Sequence, residues 1–181
     1  MVTKAMQNNM LHLKLLDDEW EFEYTDHTRD IVRAIVIDDV GYYYFVRAER
    51  NDIFGEAILI ETSGGGVEKG ECHEDAIKRE LLEELGADAE IICKVGVVED
   101  YYNLIHRHNV NNYYLCRVKS FGDTNLTEDE IHSFHISTLR LSYDESIEEY
   151  KLRASTKLGR VIANRELPIL EAAKRIIDSL K

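Results

Sequence analysis

Three glutamates, Glu80, Glu83 and Glu84, occur within five consecutive positions of a segment that is predicted to be helical from residue 72 to residue 85. On an ideal helix, with about 100° of rotation per residue, the three carboxylates fall within an arc of about 100°. The adjoining arc carries the apolar residues Ile77, Leu81 and Leu85. The carboxylates are therefore predicted to stand together at the edge of the buried face.

This clustering of negative charge costs free energy unless a positive charge compensates for it. Arg79 is a neighbouring cation, but one arginine cannot neutralise three carboxylates. Hard divalent cations such as Mg²⁺ prefer oxygen ligands and are commonly shared between carboxylates and substrate phosphates. The glycines at 64–66 would let backbone groups approach such a site closely. The helix alone leaves two interpretations, a metal site for phosphate chemistry and a solvated acidic face.

The wider segment 65–87 carries several residues at a characteristic spacing. They are, in order, Gly65, Glu71, Arg79-Glu80-Leu81, Glu83-Glu84 and Gly86-Ala87. This pattern resembles the complete signature, or box, of the Nudix hydrolases, with every fixed position filled. The resemblance implies an enzyme that hydrolyses a pyrophosphate bond in a nucleoside diphosphate linked to another moiety. It also implies an α/β fold, the Nudix-type α/β/α sandwich with a mixed β-sheet.

The same resemblance implies roles for individual residues. Glu80, Glu84 and the carbonyl of Gly64 would bind Mg²⁺ or Mn²⁺, and Glu83 would be a further ligand or an acid–base group. Arg79 would pair with the first glutamate of the box and hold the loop against the helix, and we place it with Glu83 among the catalytic residues. Metal ions at this position would neutralise phosphate charge and lower the pKa of an attacking water.

A further acid outside the box commonly completes the site from a later loop. The acidic run at 128–130 makes Glu130 the nearest candidate for this catalytic role. Thr127 and Glu130 also form a capping-box pattern, in which Glu130 would only begin a short helix. Both interpretations of Glu130 remain open.

The sequence indicates the type of reaction more clearly than it indicates the identity of the substrate. Arg47, Arg50 and Glu61 are similar in spacing to the ADP-ribose and ADP-sugar pyrophosphatases, and Tyr102 follows the box where family members often place substrate-selective residues. We therefore assign Arg47, Arg50 and Tyr102 to substrate binding. The downstream proline of those pyrophosphatases is missing, because Pro168 is the only proline in the chain. A nucleoside triphosphate or a dinucleoside polyphosphate remains an alternative substrate.

A second class of function is a Nudix-fold sensor that binds a nucleotide ligand without turnover. Such sensors usually have a degraded box or an added DNA-binding domain. The box is intact here, and the about 40 residues after Leu141 are too short and too acidic for a winged-helix module. The sequence therefore favours the enzyme.

Composition and charge exclude several other classes of protein. The 181 residues include 22 Lys and Arg against 35 Asp and Glu, a formal net charge of −13. This balance argues against a broad nucleic-acid binder, which needs a basic surface, so we expect a nucleotide-type small molecule as the partner. No run approaches the about 18 apolar residues of a membrane span, and the three cysteines show no CxxC spacing. These features predict a cytoplasmic protein.

A sheet must position the box helix, and apolar runs rich in β-branched and aromatic residues predict its strands. These runs are 31–37, 42–46, 57–60, 90–98 and 112–118, with a hairpin turn at 38–41. Partial alternation within 11–24 predicts a further strand or hairpin. Ser142 and Glu145 predict a capped helix start, and Pro168 is interpreted as lying near the start of an amphipathic helix.

The length of the chain suits one domain with an extension. We predict an N-terminal strand or hairpin extension at 1–28 and a Nudix hydrolase domain at 29–181. An edge hairpin at 11–24 would leave backbone groups unpaired, and homodimerisation is one way of pairing them.

Overall fold

The computed structural model describes residues 10–125 and 135–180. Within these ranges the chain forms eight strands: β1 (Leu11–Leu15), β2 (His27–Ile37), β3 (Tyr43–Asp52), β4 (Gly55–Glu61), β5 (Ser63–Gly66), β6 (Ala87–Tyr102), β7 (Arg107–Phe121) and β8 (Ser137–Leu141). The same ranges contain three α-helices: α1 (His73–Leu85), α2 (Tyr143–Arg153) and α3 (Lys157–Ser179).

The strands form one mixed sheet in the order β1-β6-β7-β2-β3-β4, with β5 beside β2 and β8 beside β3. β1 pairs with β6 and β2 pairs with β7 in parallel, whereas the other pairs are antiparallel. Alternate residues of β2 pack on opposite faces of the sheet. Ile35 and Ile37 belong to the hydrophobic cluster that includes α2 and α3. Val32 and Val36 belong to the hydrophobic cluster that includes α1. Helices thus cover both faces. The predicted α/β/α sandwich with a mixed sheet is confirmed.

Strand β2 changes its antiparallel partner along its length, and this opens the sheet. Its end pairs with β3, Val36 opposite Tyr44. Residues 31–34 of β2 pair instead with β5, while the later part of β3 pairs with β4. The first half of β2 and the second half of β3 therefore lie apart, and side chains from both border a cleft.

Residues 11–24 contain a strand but no hairpin, so the hairpin alternative for this range is wrong. Only Leu11–Leu15 is a strand, paired in parallel with β6. Beyond it, Asp17 Oδ1 accepts hydrogen bonds from the backbone N–H groups of Glu19 and Trp20. The Asn103 side chain donates to the carbonyls of Asp17 and Trp20. These side-chain bonds occupy backbone groups that a second strand would have paired.

Helix α3 begins well before Pro168, so the interpretation of this proline as a helix start is wrong. The helix starts at Lys157, where Thr156 Oγ1 accepts a hydrogen bond from the N–H of Gly159 at 3.1 Å. Pro168 lies inside the helix, at the loss of one backbone hydrogen bond. No helix in the ranges 10–125 and 135–180 is both long and apolar enough to cross a membrane.

Candidate active site

Helix α1 sets the direction of the three box glutamates. It begins after Cys72 and ends at Leu85, where Gly86 adopts a left-handed conformation with φ of 61°. One side of the helix is buried against the sheet, through Ala76, Ile77, Leu81 and Leu85. This burial fixes the rotation of the helix, and the three glutamates border the cleft. The observed helix agrees with the predicted range 72–85.

Glu84 is held by the short strand β5. Its Oε2 accepts a hydrogen bond from the Ser63 hydroxyl at 2.7 Å and another from the N–H of Gly64 at 2.9 Å. Burial raises the pKa of Glu84 to about 7; the two hydrogen bonds oppose this rise, and the neighbouring Glu80 adds to it. A bound cation would replace the solvation that this carboxylate has lost.

The glycine run lets β5 pass close to both β2 and α1. Gly64 has a φ of +153°, and a Cβ at this position would lie 2.0 Å from the carbonyl oxygen of Val32. A Cβ at Gly65 would lie 2.4 Å from Oε1 of Glu80. Side chains at these two positions would therefore fill the space between the backbone of β5 and its neighbours.

Arg79 connects the loop before α1 to the carboxylates on the helix. Its Nε and Nη2 donate to the two carboxylate oxygens of Glu71 at 2.9 and 3.0 Å, and Nη2 also donates to the carbonyl of Gly66. Its Nη1 donates to Glu80 at 2.6 Å and to Glu83 at 3.2 Å. The bidentate contact with Arg79 holds the pKa of Glu71 at about 2.

The donor set suits a hard divalent cation. Three carboxylates and the backbone of Gly64 border one cleft, and Mg²⁺ and Mn²⁺ favour oxygen ligands of this kind. Among the residues that the structure describes, no three acidic, His or Cys side chains already converge around a point. Hydrogen bonds explain this, because Arg79 holds Glu80 and Glu83 whereas β5 holds Glu84. Arg79 contacts only one oxygen of Glu80 and one of Glu83, so the second oxygen of each carboxylate is left for a cation.

The cleft has a volume of about 470 Å³, which suits a small molecule. Besides the box glutamates, Glu61 contributes a fourth carboxylate to its lining. Four arginines from three strands face it as well, namely Arg29 and Arg33 on β2, Arg50 on β3 and Arg107 on β7. Apolar side chains complete the lining, among them Phe54, Ile105, Leu158 and Ile162. The arrangement can accept a ligand that is anionic in one part and apolar in another.

Helix α3 places a fully buried arginine, Arg165, behind the cleft. Its Nη1 donates to Asp100 Oδ2 and to the Tyr102 hydroxyl, both at 3.0 Å. Its Nη2 donates to Glu61 Oε2 and its Nε to Glu166 Oε1, both at 3.1 Å. Each guanidinium nitrogen of Arg165 thus has an acidic partner, and two of the residues it holds, Glu61 and Tyr102, line the cleft.

Glu166 extends this buried network toward the box helix. Its two carboxylate oxygens accept hydrogen bonds from Tyr113 at 2.9 Å and from the Thr62 hydroxyl at 3.1 Å. Thr62 immediately precedes Ser63, whose hydroxyl holds Glu84. The consecutive residues Thr62 and Ser63 therefore connect α3, on one face of the sheet, to α1 on the other.

The structure separates the residues that the sequence assigned to the substrate. Arg50 and Tyr102 line the cleft. Arg47 does not line the cleft, because alternate residues of β3 point to opposite faces of the sheet. Its Nη2 pairs instead with Glu49 Oε1 at 2.8 Å. Glu130, which the sequence offered as a catalytic acid, lies outside the described residues.

Sequence reasoning missed four arginines in or behind the cleft: Arg29, Arg33, Arg107 and Arg165. Arg33 carried a usable signal, since a single charged residue interrupts the apolar run 31–37 and a charge buried in a sheet needs partners. Arg29 and Arg107 lie in polar surroundings in the sequence and carried no such signal.

Glu84 predicts a pH dependence of stability in the absence of metal. Because its pKa rises from 4.5 to about 7 in the folded state, the folded chain keeps a proton in this range that the unfolded chain releases. The free energy of unfolding is expected to fall as the pH rises through this window, by at most about 3 kcal/mol, less to the extent that the residue is exposed. Urea denaturation in EDTA measures this effect. Glu84→Gln should have a higher free energy of unfolding than the native chain, by an amount that grows from about pH 4.5 to about pH 8. A difference that does not change with pH would contradict the raised pKa of Glu84.

Comparison with known proteins identifies related sequences and folds. A family model described as NUDIX domain matches residues 27–156. Among solved structures, a NUDIX hydrolase from Nitrosomonas europaea is 22% identical, with a TM-score of 0.63 over 82% of this chain and 90% of that one. The E. coli ORF135 protein is also 22% identical, with a TM-score of 0.56 over 84% of this chain and 92% of that one.

A MutT NUDIX hydrolase from Burkholderia pseudomallei gives a TM-score of 0.52 at 22% identity, over 66% of this chain and 86% of that one. At these identities the solved structures show a shared fold alone. The search of curated proteins found no match.

Proposed function

Because this chain belongs to the Nudix family, we propose that it is a Mg²⁺-dependent pyrophosphohydrolase, with Mn²⁺ as an alternative metal. Its substrate is a nucleoside diphosphate linked to a further group, such as a sugar or another phosphate. One observation carries the proposal: a single cleft brings together the box glutamates and four arginines. Carboxylates that hold a cation and guanidinium groups that bind phosphate are the two requirements of phosphoanhydride hydrolysis.

The residues divide between binding the cation and supporting it. We propose that Glu80, Glu84 and the carbonyl of Gly64 hold the cation, which would lower the pKa of a water and neutralise phosphate charge. Glu83 is more solvent-accessible than Glu80, with 38% of its side chain exposed against 13%, and suits an acid–base role. Arg79 is a positioning residue, because its contacts are with the carboxylates and the loop. Hydrolysis adds one water across the P–O–P linkage, so each product ends in a phosphate.

A panel of nucleotides assayed with and without Mg²⁺ tests this function. It should include nucleoside diphosphate sugars, ADP-ribose, nucleoside triphosphates and dinucleoside polyphosphates. We expect products that end in a phosphate group, formed only when the metal is present. Binding of a nucleotide without turnover of any would contradict the proposal and favour a sensor.

The N-terminal segment allows a test of assembly. We propose that residues 1–28 form an extension of a catalytic domain at 29–181, and that this extension contributes to a homodimer. Among the described residues β1 pairs with β6 alone, and Phe22 stays 64% exposed. Phe22→Glu is expected to convert a dimer into a monomer in light scattering, because it places a charge on the proposed contact. Val40→Glu, at a residue in the 38–41 turn that is 78% exposed, is the control. A native monomer, or a dimeric Phe22→Glu protein, would contradict this proposal.

A further inference from the structure

Some arginine side chains of the cleft already form an ion pair with an acidic residue, and others do not. Arg33 lies 3.2 Å from Glu61 and donates to Asn111 at 3.0 Å. Within the part of the chain that the structure describes, the side chains of Arg29 and Arg107 make neither an ion pair nor a hydrogen bond. The Nε of Arg107 is buried without an acceptor, and burial lowers the pKa of this guanidinium. A partly desolvated cation that lacks an acidic partner is costly, and a bound anion would reduce that cost.

Arg29 lies beside the carboxylate side of the cleft. A Cβ at Gly66 would lie 2.8 Å from Nε and from Nη2 of Arg29, so this guanidinium rests on the backbone of β5. Burial raises the pKa of Glu80, and the positive charges of Arg79 and Arg29 both oppose that rise. Arg29 is thus close enough to the proposed cation site to contact a phosphate bound there.

Arg107 is a second positive charge in the cleft, next to Arg29. In the parallel register of β2 and β7, Arg29 is opposite Asn109, so Arg107 is its diagonal neighbour on the same face of the sheet. Diagonal neighbours of this kind are roughly 7–8 Å apart, and the two positive charges repel each other. The Arg107 guanidinium also lies 5.2 Å from the centre of the Tyr102 ring, across the β6–β7 pair. The two arginines are therefore placed to contact successive anionic groups of one ligand.

We propose that Arg107, beside Arg29, forms a subsite for an additional phosphate, so that the substrate class is a nucleotide with three or more linked phosphates. The inference rests on the proposed function, because the cation site and Arg29 would hold the scissile diphosphate. Arg107 is then left for the next phosphate along the chain. A neutral sugar in that place would offer Arg107 hydroxyl oxygens as acceptors but no negative charge, so a phosphate compensates this buried cation better than a sugar does.

Binding of inorganic phosphate chains tests the subsite. Calorimetry with Mg²⁺ present compares tripolyphosphate with pyrophosphate on the native chain, Arg107→Gln and Arg107→Lys. Loss of a charge-assisted contact should weaken tripolyphosphate binding by about 10- to 100-fold in Arg107→Gln, with a loss below about threefold for pyrophosphate. Arg107→Lys, which keeps the charge, should bind tripolyphosphate with an affinity between those of the native chain and Arg107→Gln. Arg117→Gln, on the same strand and 46% exposed, is the control and should bind as the native chain does. Equal losses for both ligands, no loss, or no binding by the native chain would overturn the proposal.

Turnover separates this proposal from the proposed function. With Mg²⁺, Arg107→Gln should lower kcat/KM about 10- to 100-fold on nucleoside triphosphates and little on diphosphate sugars of the same nucleoside. If the native chain hydrolyses neither class, the proposed function fails while the binding experiment still decides the subsite. If it hydrolyses diphosphate sugars faster and Arg107→Gln affects both classes alike, the function stands and the subsite is wrong. Thermal melting of each variant verifies that it is folded.

Discussion

Replacing Glu84 with glutamine is expected to lower metal-dependent turnover by about 100- to 1000-fold. The substitution preserves the shape of the side chain, and the amide oxygen can still accept the hydrogen bonds from Ser63 and Gly64. What it removes is the negative charge that would bind the cation. The same variant should gain less thermal stability than the native chain when Mg²⁺ is added, because a ligand that binds only the folded state stabilises it according to affinity.

Glu74→Gln is the matched control for this experiment. Glu74 lies in the first turn of the same helix, is exposed, and does not border the cleft. Its replacement changes the net charge by the same amount and should leave both turnover and the Mg²⁺-dependent melting unchanged. A fully active Glu84→Gln enzyme would contradict the assignment of Glu84 to the metal.

The second large effect is expected from Arg165→Met, which should lower the free energy of unfolding by about 3–5 kcal/mol. Methionine fills much of the same volume but leaves the buried carboxylate of Asp100 without its cation, and it removes from Glu166 the nearer of two guanidinium groups. The cost arises because these groups cannot regain water in the folded state. Urea denaturation at neutral pH measures it.

Arg160→Met, on the same helix, provides the comparison. Arg160 pairs with Glu19, but 41% of its side chain is exposed, so solvent can replace the lost contact. We expect a much smaller loss of stability than for Arg165→Met. Similar losses in the two variants would show that the buried network contributes no more than a surface ion pair.

Local patterns in the sequence predicted the parts of the molecule that depend on local structure. The spacing of Ile77, Leu81 and Leu85 sets the rotation of α1, and Gly86 ends the helix as expected. Ser142 and Glu145 form the predicted capping box. The family match confirms the predicted Nudix pyrophosphohydrolase, whereas the roles of single residues stay predictions.

The remaining features depend on contacts between distant segments. Buried charges at Arg165 and Glu166 interrupt the apolar pattern of α3, and this interruption hid the first part of the helix before Pro168. The partial alternation within 11–24 suggested a strand or hairpin, but beyond Leu15 backbone groups of this segment are bound by side chains. Periodicity shows which residues share a face, but it does not reveal the partner that each side chain will find.

The register between strands was equally inaccessible. Arg29 and Arg107 become neighbours only because β2 and β7 pair in parallel with Arg29 opposite Asn109. A shift of one residue would turn Arg107 to the other face of the sheet. The arginines of the cleft could therefore be recognised only once the strand pairing was known.

The hydrogen-bonded connection from Glu166 through Thr62 and Ser63 to Glu84 has a consequence for local unfolding. Binding loops commonly open in fluctuations much smaller than global unfolding, and their amide protons exchange quickly. Here Thr62 is anchored in the buried network of α3, and its neighbour Ser63 is anchored to α1. The strand that holds Glu84 cannot open without disturbing helices on both faces of the sheet. We infer that β5 belongs to the same cooperative unit as the core, so its amide protons should be among the slowest to exchange.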